Sequence, residues 1–310
     1  MKTQDYEKKY RSKCSNEYEK ATQNMSNLAE VLKQIDIHYK SFSKKCEDGA
    51  KRLLSDILDE KELNFIHSAR YRVKTNDSLL IKFIKKQAKL SVFQPQAPDL
   101  ATEIEKYRNC NENDYYKVFT DLIGVRILLR YKSEWKKVDA WVRNTFKENF
   151  VNDWKSDYQH APQQSFLAEK PKVYYKLSEY DYYGQFDANK FDKKPTTTEY
   201  NSIHYIINYN GIYVELQVRT ILDEAWGECT HDVTYKGKKK DPELDVLVKC
   251  LSEQVKAAET ITDLIYRKTN KEERTPKPSD VDDLHNENGD TINRKKIFYA
   301  EMVNSRINRK

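Results

Sequence analysis

From Glu199 to Lys236 the chain reads EYNSIHYIINYNGIYVELQVRTILDEAWGECTHDVTYK, and its apolar and polar positions alternate on both sides of Asn210-Gly211. That dipeptide between alternating runs predicts a two-residue β-hairpin, because both turn positions require positive φ. The predicted register sets Tyr209 against Ile212, Ile207 against Val214, Ile206 against Glu215 and His204 against Gln217. A period of two then sorts the side chains onto two faces. Ile203, Tyr205, Ile207, Tyr209, Ile212, Val214, Leu216 and Val218 form a core face. His204, Asn208, Tyr213, Glu215 and Gln217 surround Ile206 on the other, which is either a site or the solvated side of a sheet.

The rest of the chain reads as helices around a second strand. Leu28, Val31, Leu32, Ile35, Leu53, Leu54, Ile57 and Leu58 recur at helical spacing, so residues 1 to about 60 are expected to be helical. Leu63 to Val73 reads as extended, and Asn76-Asp77-Ser78 offers capping for the helix after it. Leu122 to Leu129 is the most apolar segment, expected to be a strand buried on both sides. Arg126 within it calls for a partner or a ligand. Asp121 and Arg126 differ in parity, so either Asp121 precedes the strand or Gly124 marks a bulge. Lys132 to Phe150 is an amphipathic helix. Residues 151 to 199 are irregular apart from a strand at Lys172 to Leu177. Helices are expected from Thr220 to Tyr235 and from Glu243 to Lys268. Beyond them come a polar, mobile stretch at 269–290 and a final basic helix.

Composition narrows the classes. With 38% hydrophobic and 34% charged residues, the 310-residue chain is polar enough to be soluble. No run is long enough to span a membrane and the N-terminus lacks a signal-peptide core, so a cytoplasmic location is expected. Five scattered cysteines without a CxxC pair argue against a zinc site or a disulfide framework. The net charge of +6 is compatible with a polyanionic substrate without demanding one. Arg72, Lys74, Ser78 and Lys82 cluster at the start of a helix, which suits a polyphosphate cradle and equally suits a solvated helix face.

Three separated motifs resemble the synthetase domain of the RelA/SpoT family: Arg72-x-Lys74-x3-Ser78-x3-Lys82, Asp121-Leu-Ile-Gly-Val-Arg126, and Tyr200-x-Ser202-x-His204 followed by Val214-Glu-Leu-Gln-Val-Arg-Thr220. The resemblance covers about residues 60 to 240. It implies an α/β (α+β) fold, a nucleotidyltransferase-like mixed sheet flanked by helices, and transfer of the β,γ-pyrophosphate of ATP to a ribose 3′-hydroxyl. By that resemblance Arg72 and Arg126 sandwich the adenine, and Lys74, Ser78 and Lys82 hold the phosphates. Asp121 ligates Mg²⁺, and Glu215 assists the metal or accepts the hydroxyl proton. Tyr200 stacks on the acceptor base, with Asn201, His204 and Gln217 beside it.

Two departures from the family pattern stand out. Glu199 precedes the stacking tyrosine where the family often has glycine, and the hydrolase domain of the long members is absent, so a small synthetase-only member is expected. The expected organisation is a helical extension (1–60), the synthetase domain (61–240) and a helical C-terminal extension (241–310). GDP or GTP is the expected acceptor, giving (p)ppGpp and AMP. The alternative is a toxic relative that pyrophosphorylates the 3′ end of tRNA, favoured by the positive charge and the tyrosine-rich 151–199 segment. Expected partners therefore include ATP, GDP or GTP, tRNA in the alternative, a second copy through the terminal helices, or an antitoxin. A non-catalytic nucleotide sensor fits poorly with Arg72, Asp121, Tyr200 and Glu215 all present. A polymerase-β-like enzyme fits worse, because the only Asp-x-Asp, Asp280 to Asp282, lies in the polar tail.

Overall fold

The hairpin forms in the expected register. Strands β7 (Ser202–Tyr209) and β8 (Ile212–Thr220) pair antiparallel with Tyr209 opposite Ile212 and His204 opposite Gln217. Asn210 and Gly211 both have positive φ, 51° and 83°. The structure is a computed structural model describing residues 2–92, 104–151, 154, 164–176, 182, 186–196, 201–235 and 241–270. The expected mobile stretch and final basic helix lie largely outside these residues. The chain divides into two compact units, Met1–Asp263 and Leu264–Lys310.

Six more strands complete a mixed sheet: β1 (Ser68–Val73), β2 (Ile123–Leu129), β3 (Lys147–Glu148), β4 (Phe166–Leu167), β5 (Lys172–Lys176) and β6 (Asp192–Thr196). The order runs β1-β2-β8-β7-β4-β3, with β5 on the other half of β7's outer edge and β6 paired to β5. β2 is central and runs parallel to β8 but antiparallel to β1. Its pairing is continuous through Gly124, so there is no bulge and Asp121 precedes the strand.

One face of the sheet is the core. Ile123, Val125, Ile127, Val214, Leu216, Ile203, Tyr205 and Ile207 are buried together. Of the helices α1 (Thr3–Lys13), α2 (Ser15–Asn24), α3 (Leu28–Asp59), α4 (Asn76–Val92), α5 (Tyr115–Val118) and α6 (Trp135–Thr145), α3 packs against β1, β2 and β8. The first three helices share this one hydrophobic core with the sheet. The other face behaves differently along its length. Around the turn, Ile206, Asn208 and Tyr213 are buried, with Trp154 edge-on to Tyr213 at 5.0 Å between ring centroids. The solvated-sheet expectation fails there, because an aromatic from the irregular 151–199 segment folds back over it.

The cap of helix α4 lies one residue earlier than expected, at Thr75. Thr75 Oγ1 accepts the Ser78 N–H at 3.3 Å, whereas Asn76 and Asp77 turn toward the N-terminal helices. Asn76 donates to Asp36 Oδ1 at 2.7 Å, and Asp77 takes Lys9, Lys13 and Tyr10 of α1. Asp36 also accepts the Tyr6 hydroxyl at 2.6 Å and pairs with Lys40 at 2.8 Å while buried. Burial opposes its ionisation, but Lys40, Tyr6 and Asn76 outweigh it and hold the carboxyl below its ordinary value. Asp36→Ala leaves the buried Tyr6 hydroxyl without an acceptor and the Asn76 amide with only the backbone carbonyl of position 36 at 3.4 Å, so urea unfolding should show a loss of about 2 kcal/mol at neutral pH. Because the folded carboxyl is the more acidic one, that gap should shrink as pH falls below the ordinary value of 3.8.

Helix α7 (Ile221–Tyr235) leaves β8 directly, and α8 (Pro242–Thr269) follows. The side of α8 that is buried is polar: Ser252, Glu259 and Asp263. Glu259 accepts the Thr220 hydroxyl, and Asp263 accepts the Ser133 N–H at 2.8 Å. Val246, Leu247, Leu251 and Ile261 are exposed instead. The helix is thus amphipathic as expected, with its apolar stripe turned outward.

Candidate active site

Strand register assembles the site. Across the non-core face, Arg72 of β1, Gly124 of β2, Glu215 of β8 and Ile206 of β7 form one row. The adjacent row is Arg70, Arg126, Gln217 and His204. Cross-strand partners point to the same side of a sheet, so six charged or polar groups from four strands gather on one face. Gly124 keeps the floor low: a Cβ there would lie 3.3 Å from Arg72 Nε. Arg70, Arg72, Gly124, Arg126 and Gln217 line one cavity of about 260 Å³.

Beyond the end of β2 lies the cation cluster. The Lys74 N–H bonds the Leu122 carbonyl at 2.9 Å, extending the β1–β2 ladder by one step. Lys74 Nζ and Lys82 Nζ then converge on Asp121 Oδ2 at 3.0 and 2.5 Å. Burial raises the Asp121 carboxyl pKa, but the two ammonium groups outweigh it and hold the pKa at about 2. Ser78, exposed in the first turn of α4, accepts a hydrogen bond from Thr75 Oγ1 at 2.9 Å. Lys74, Lys82 and Asp121 therefore meet where β1 passes into α4, with Arg72 near the end of β1 and Ser78 in the first turn of α4.

Glu215 is held from both sides. Its Oε1 lies 3.2 Å from His204 Nδ1, and its Oε2 accepts the Gln217 amide at 2.7 Å. Burial raises its pKa, yet the His204 hydrogen bond and charge more than compensate, so the carboxyl lies below its ordinary range. The Asp121 charge pushes the other way, which places the two carboxylates within one electrostatic neighbourhood. Both are ionised at neutral pH.

The donor set fits a hard cation. Asp121 Oδ1 is buried without a hydrogen-bond partner, an arrangement that a cation would relieve. Among the described residues no group of three His, Cys, Asp or Glu side chains could hold a metal unaided. Two carboxylates completed by phosphate oxygens are the usual Mg²⁺ arrangement in phosphoryl-transfer sites.

The acceptor side is placed less completely. Tyr200 lies outside the described residues, as does Glu199. Asn201 is buried, its Oδ1 accepting the Lys176 N–H at 3.0 Å and its amide 3.4 Å from Asp223. Those contacts lock the entry to β7. Gln217, expected beside the acceptor, also accepts from Arg126 (3.4 and 3.3 Å) and Arg219 (3.2 Å).

Four residues escaped the sequence reading: Arg70, Arg219, Glu224 and Glu228. Arg126 needed a partner, and Glu224 of α7 supplies it; Arg70 and Arg219 bind the same carboxylate. Glu228, one helical turn on, takes Arg70 at 2.7 Å. The available signals were Arg70-x-Arg72 on one strand face and Glu224-x3-Glu228 on one helix face.

Two ionised carboxylates among lysines and arginines, on the open face of a mixed sheet, define an α/β protein equipped to handle polyphosphate. Residues 71–240 match the family described as "Region found in RelA / SpoT proteins". The chain belongs to the RelA/SpoT family, and its activity class is pyrophosphoryl transfer. It is similar to the solved small alarmone synthetase 1 of Bacillus subtilis bound to its product pppGpp, at 15% identity over 76% of this chain and 95% of that one, TM-score 0.45. Small alarmone synthetase 2 of the same organism shares 18% identity over 76% and 97%, TM-score 0.40. A GTP pyrophosphokinase family protein of Streptococcus pneumoniae shares 15% over 78% and 94%, TM-score 0.40. No curated protein matches the chain. Among the described residues no helix is long and apolar enough to cross a membrane.

Proposed function

We propose that the chain transfers the β,γ-pyrophosphate of ATP to the ribose 3′-hydroxyl of GDP or GTP, giving (p)ppGpp and AMP. The observation that carries this reading is the meeting of Asp121, Lys74 and Lys82 with Glu215 beside the Arg72–Arg126 cavity. In it, adenine lies between the Arg72 and Arg126 guanidinium groups, and Lys74, Ser78 and Lys82 take the phosphates. Asp121 and Glu215 would hold Mg²⁺, whose charge neutralises the phosphate oxygens. Ionised Glu215 accepts a hydrogen bond from the 3′-hydroxyl and receives its proton as the oxygen bonds to the β-phosphorus and the α,β-phosphoanhydride bond breaks, AMP leaving with the bridging oxygen. A carboxylate this acidic is a weak base, so most of the acceleration comes from alignment and charge complementarity. Stacking on the acceptor base is the role proposed for Tyr200, with His204 and Gln217 on the hairpin face contributing polar contacts.

The test is acceptor choice. Incubated with ATP labelled in its β,γ-phosphates, the purified chain should label GDP or GTP and release AMP. Label on deacylated tRNA, with none on either guanine nucleotide, would overturn the nucleotide acceptor in favour of the tRNA-modifying alternative. A steep fall of activity with salt would accompany that outcome, because a tRNA arm releases many counterions on docking.

A further inference from the structure

The carboxylate of Glu224 lies behind the proposed donor pocket and touches none of its open surface: its side chain is only 7% exposed. Three guanidinium groups converge on it. Oε1 accepts from Arg126 and Arg70, while Oε2 pairs with Arg219 at 3.0 Å. Arg126 is held on its remaining edge by Gln217 Oε1, through Nε at 3.4 Å and Nη2 at 3.3 Å. A guanidinium bound along its edges has its flat faces left for stacking, and its plane is fixed by the acceptors around it. We infer that Glu224 is a positioning residue for the donor nucleotide, setting the plane of Arg126 so that a purine base meets a preformed stacking surface opposite Arg72.

This inference rests on the donor reading of the Arg72–Arg126 cavity. Its physical content is preorganisation. Without Glu224, the hydrogen-bond acceptor left to Arg126 among the described residues is the neutral amide of Gln217, which Arg219 shares at 3.2 Å, while Glu228 acts on it only through its charge. The side chain would then have to be ordered by the incoming base, and that ordering lowers affinity. Arg70 shares Oε1 of Glu224 with Arg126, and Arg219 lies beside Oε2 as an ion pair without a hydrogen bond to it.

A merely structural ion cluster would lower stability and weaken both substrates together. A positioning role predicts a selective effect that passes through Arg126. Calorimetric binding of a non-hydrolysable ATP analogue and of GDP to the full chain distinguishes them, with melting temperature followed in parallel. Glu224→Gln should weaken the ATP analogue about tenfold, the scale of one charge-assisted hydrogen bond, and leave GDP unchanged. Glu224→Asp should recover part of the loss. In an Arg126→Ala background Glu224→Gln should have no further effect on the analogue. Equal weakening of both nucleotides, no weakening, or full additivity with Arg126→Ala would overturn the inference while leaving the donor reading intact. If the unaltered chain fails to bind the ATP analogue, the donor reading falls and this inference with it. Should Glu224→Gln not fold, Glu224→Asp carries the same comparison, with a smaller shift expected and the same outcomes decisive.

Discussion

Glu215→Gln should lower the turnover of pyrophosphoryl transfer by roughly 10² or more, with little change in stability. The substitution keeps size and hydrogen-bonding reach. The amide oxygen can still accept from one neighbour, and Gln217 and His204 keep the side chain's outline. What disappears is the charge, which His204 and Gln217 maintain against burial. A neutral amide neither receives the hydroxyl proton nor offsets the cations gathered at Lys74 and Lys82. Steady-state kinetics with both substrates saturating isolate this loss as a fall in kcat. Turnover within a few-fold of the unaltered chain would remove Glu215 from the chemistry and leave it as a strut of the hairpin face.

Asp121→Asn should lose at least as much turnover and, unlike the first variant, lose stability too. Lys74 and Lys82 share Asp121 Oδ2, and the Lys74 side chain is only 14% exposed. Removing the charge leaves two ammonium groups facing each other with no anion between them. The depressed carboxyl sets the pH dependence: about 2 when folded against an ordinary 3.8. Its contribution, on the order of 2 kcal/mol, is present above 3.8 and fades as pH falls toward 2. Chemical denaturation at neutral pH should therefore separate the two proteins, and the separation should close near pH 2. A constant gap across that range would mean that the ion pairs contribute nothing to folding.

The hairpin was legible in full because its information is local. A period of two and one Asn-Gly dipeptide determine which side chain opposes which, and the structure keeps every pair from Tyr209–Ile212 to His204–Gln217. Burial of Asn208 and Tyr213 was not legible, because the covering group, Trp154, comes from a segment with no periodic pattern. The cap of α4 was misassigned for a similar reason. Asn76 and Asp77 have capping chemistry, but Asp36 and the α1 lysines claim them from far along the chain, and Thr75 takes the role. Arg126 announced that it needed a partner; which of the chain's many acids would supply it is decided only by where α7 leaves β8. Helix α8 shows the limit of amphipathicity as a guide, since the pattern gave the helix and left open which stripe faced inward.

The rows across β1, β2 and β8 act as a measuring lattice. Arg72, Gly124 and Glu215 sit on consecutive strands, and neighbouring strands lie about 4.8 Å apart, so the pocket floor and the Glu215 carboxylate are separated by a backbone constant. No side-chain rotation or loop movement changes that span without breaking ladder hydrogen bonds. A shortened side chain at position 215 consequently has nothing that can carry it forward: Glu215→Asp withdraws the carboxylate by one methylene and the sheet cannot follow. Adjustment to acceptors of different size must therefore come from elements hung on the lattice's rim, where β7 meets β5 and where α7 departs.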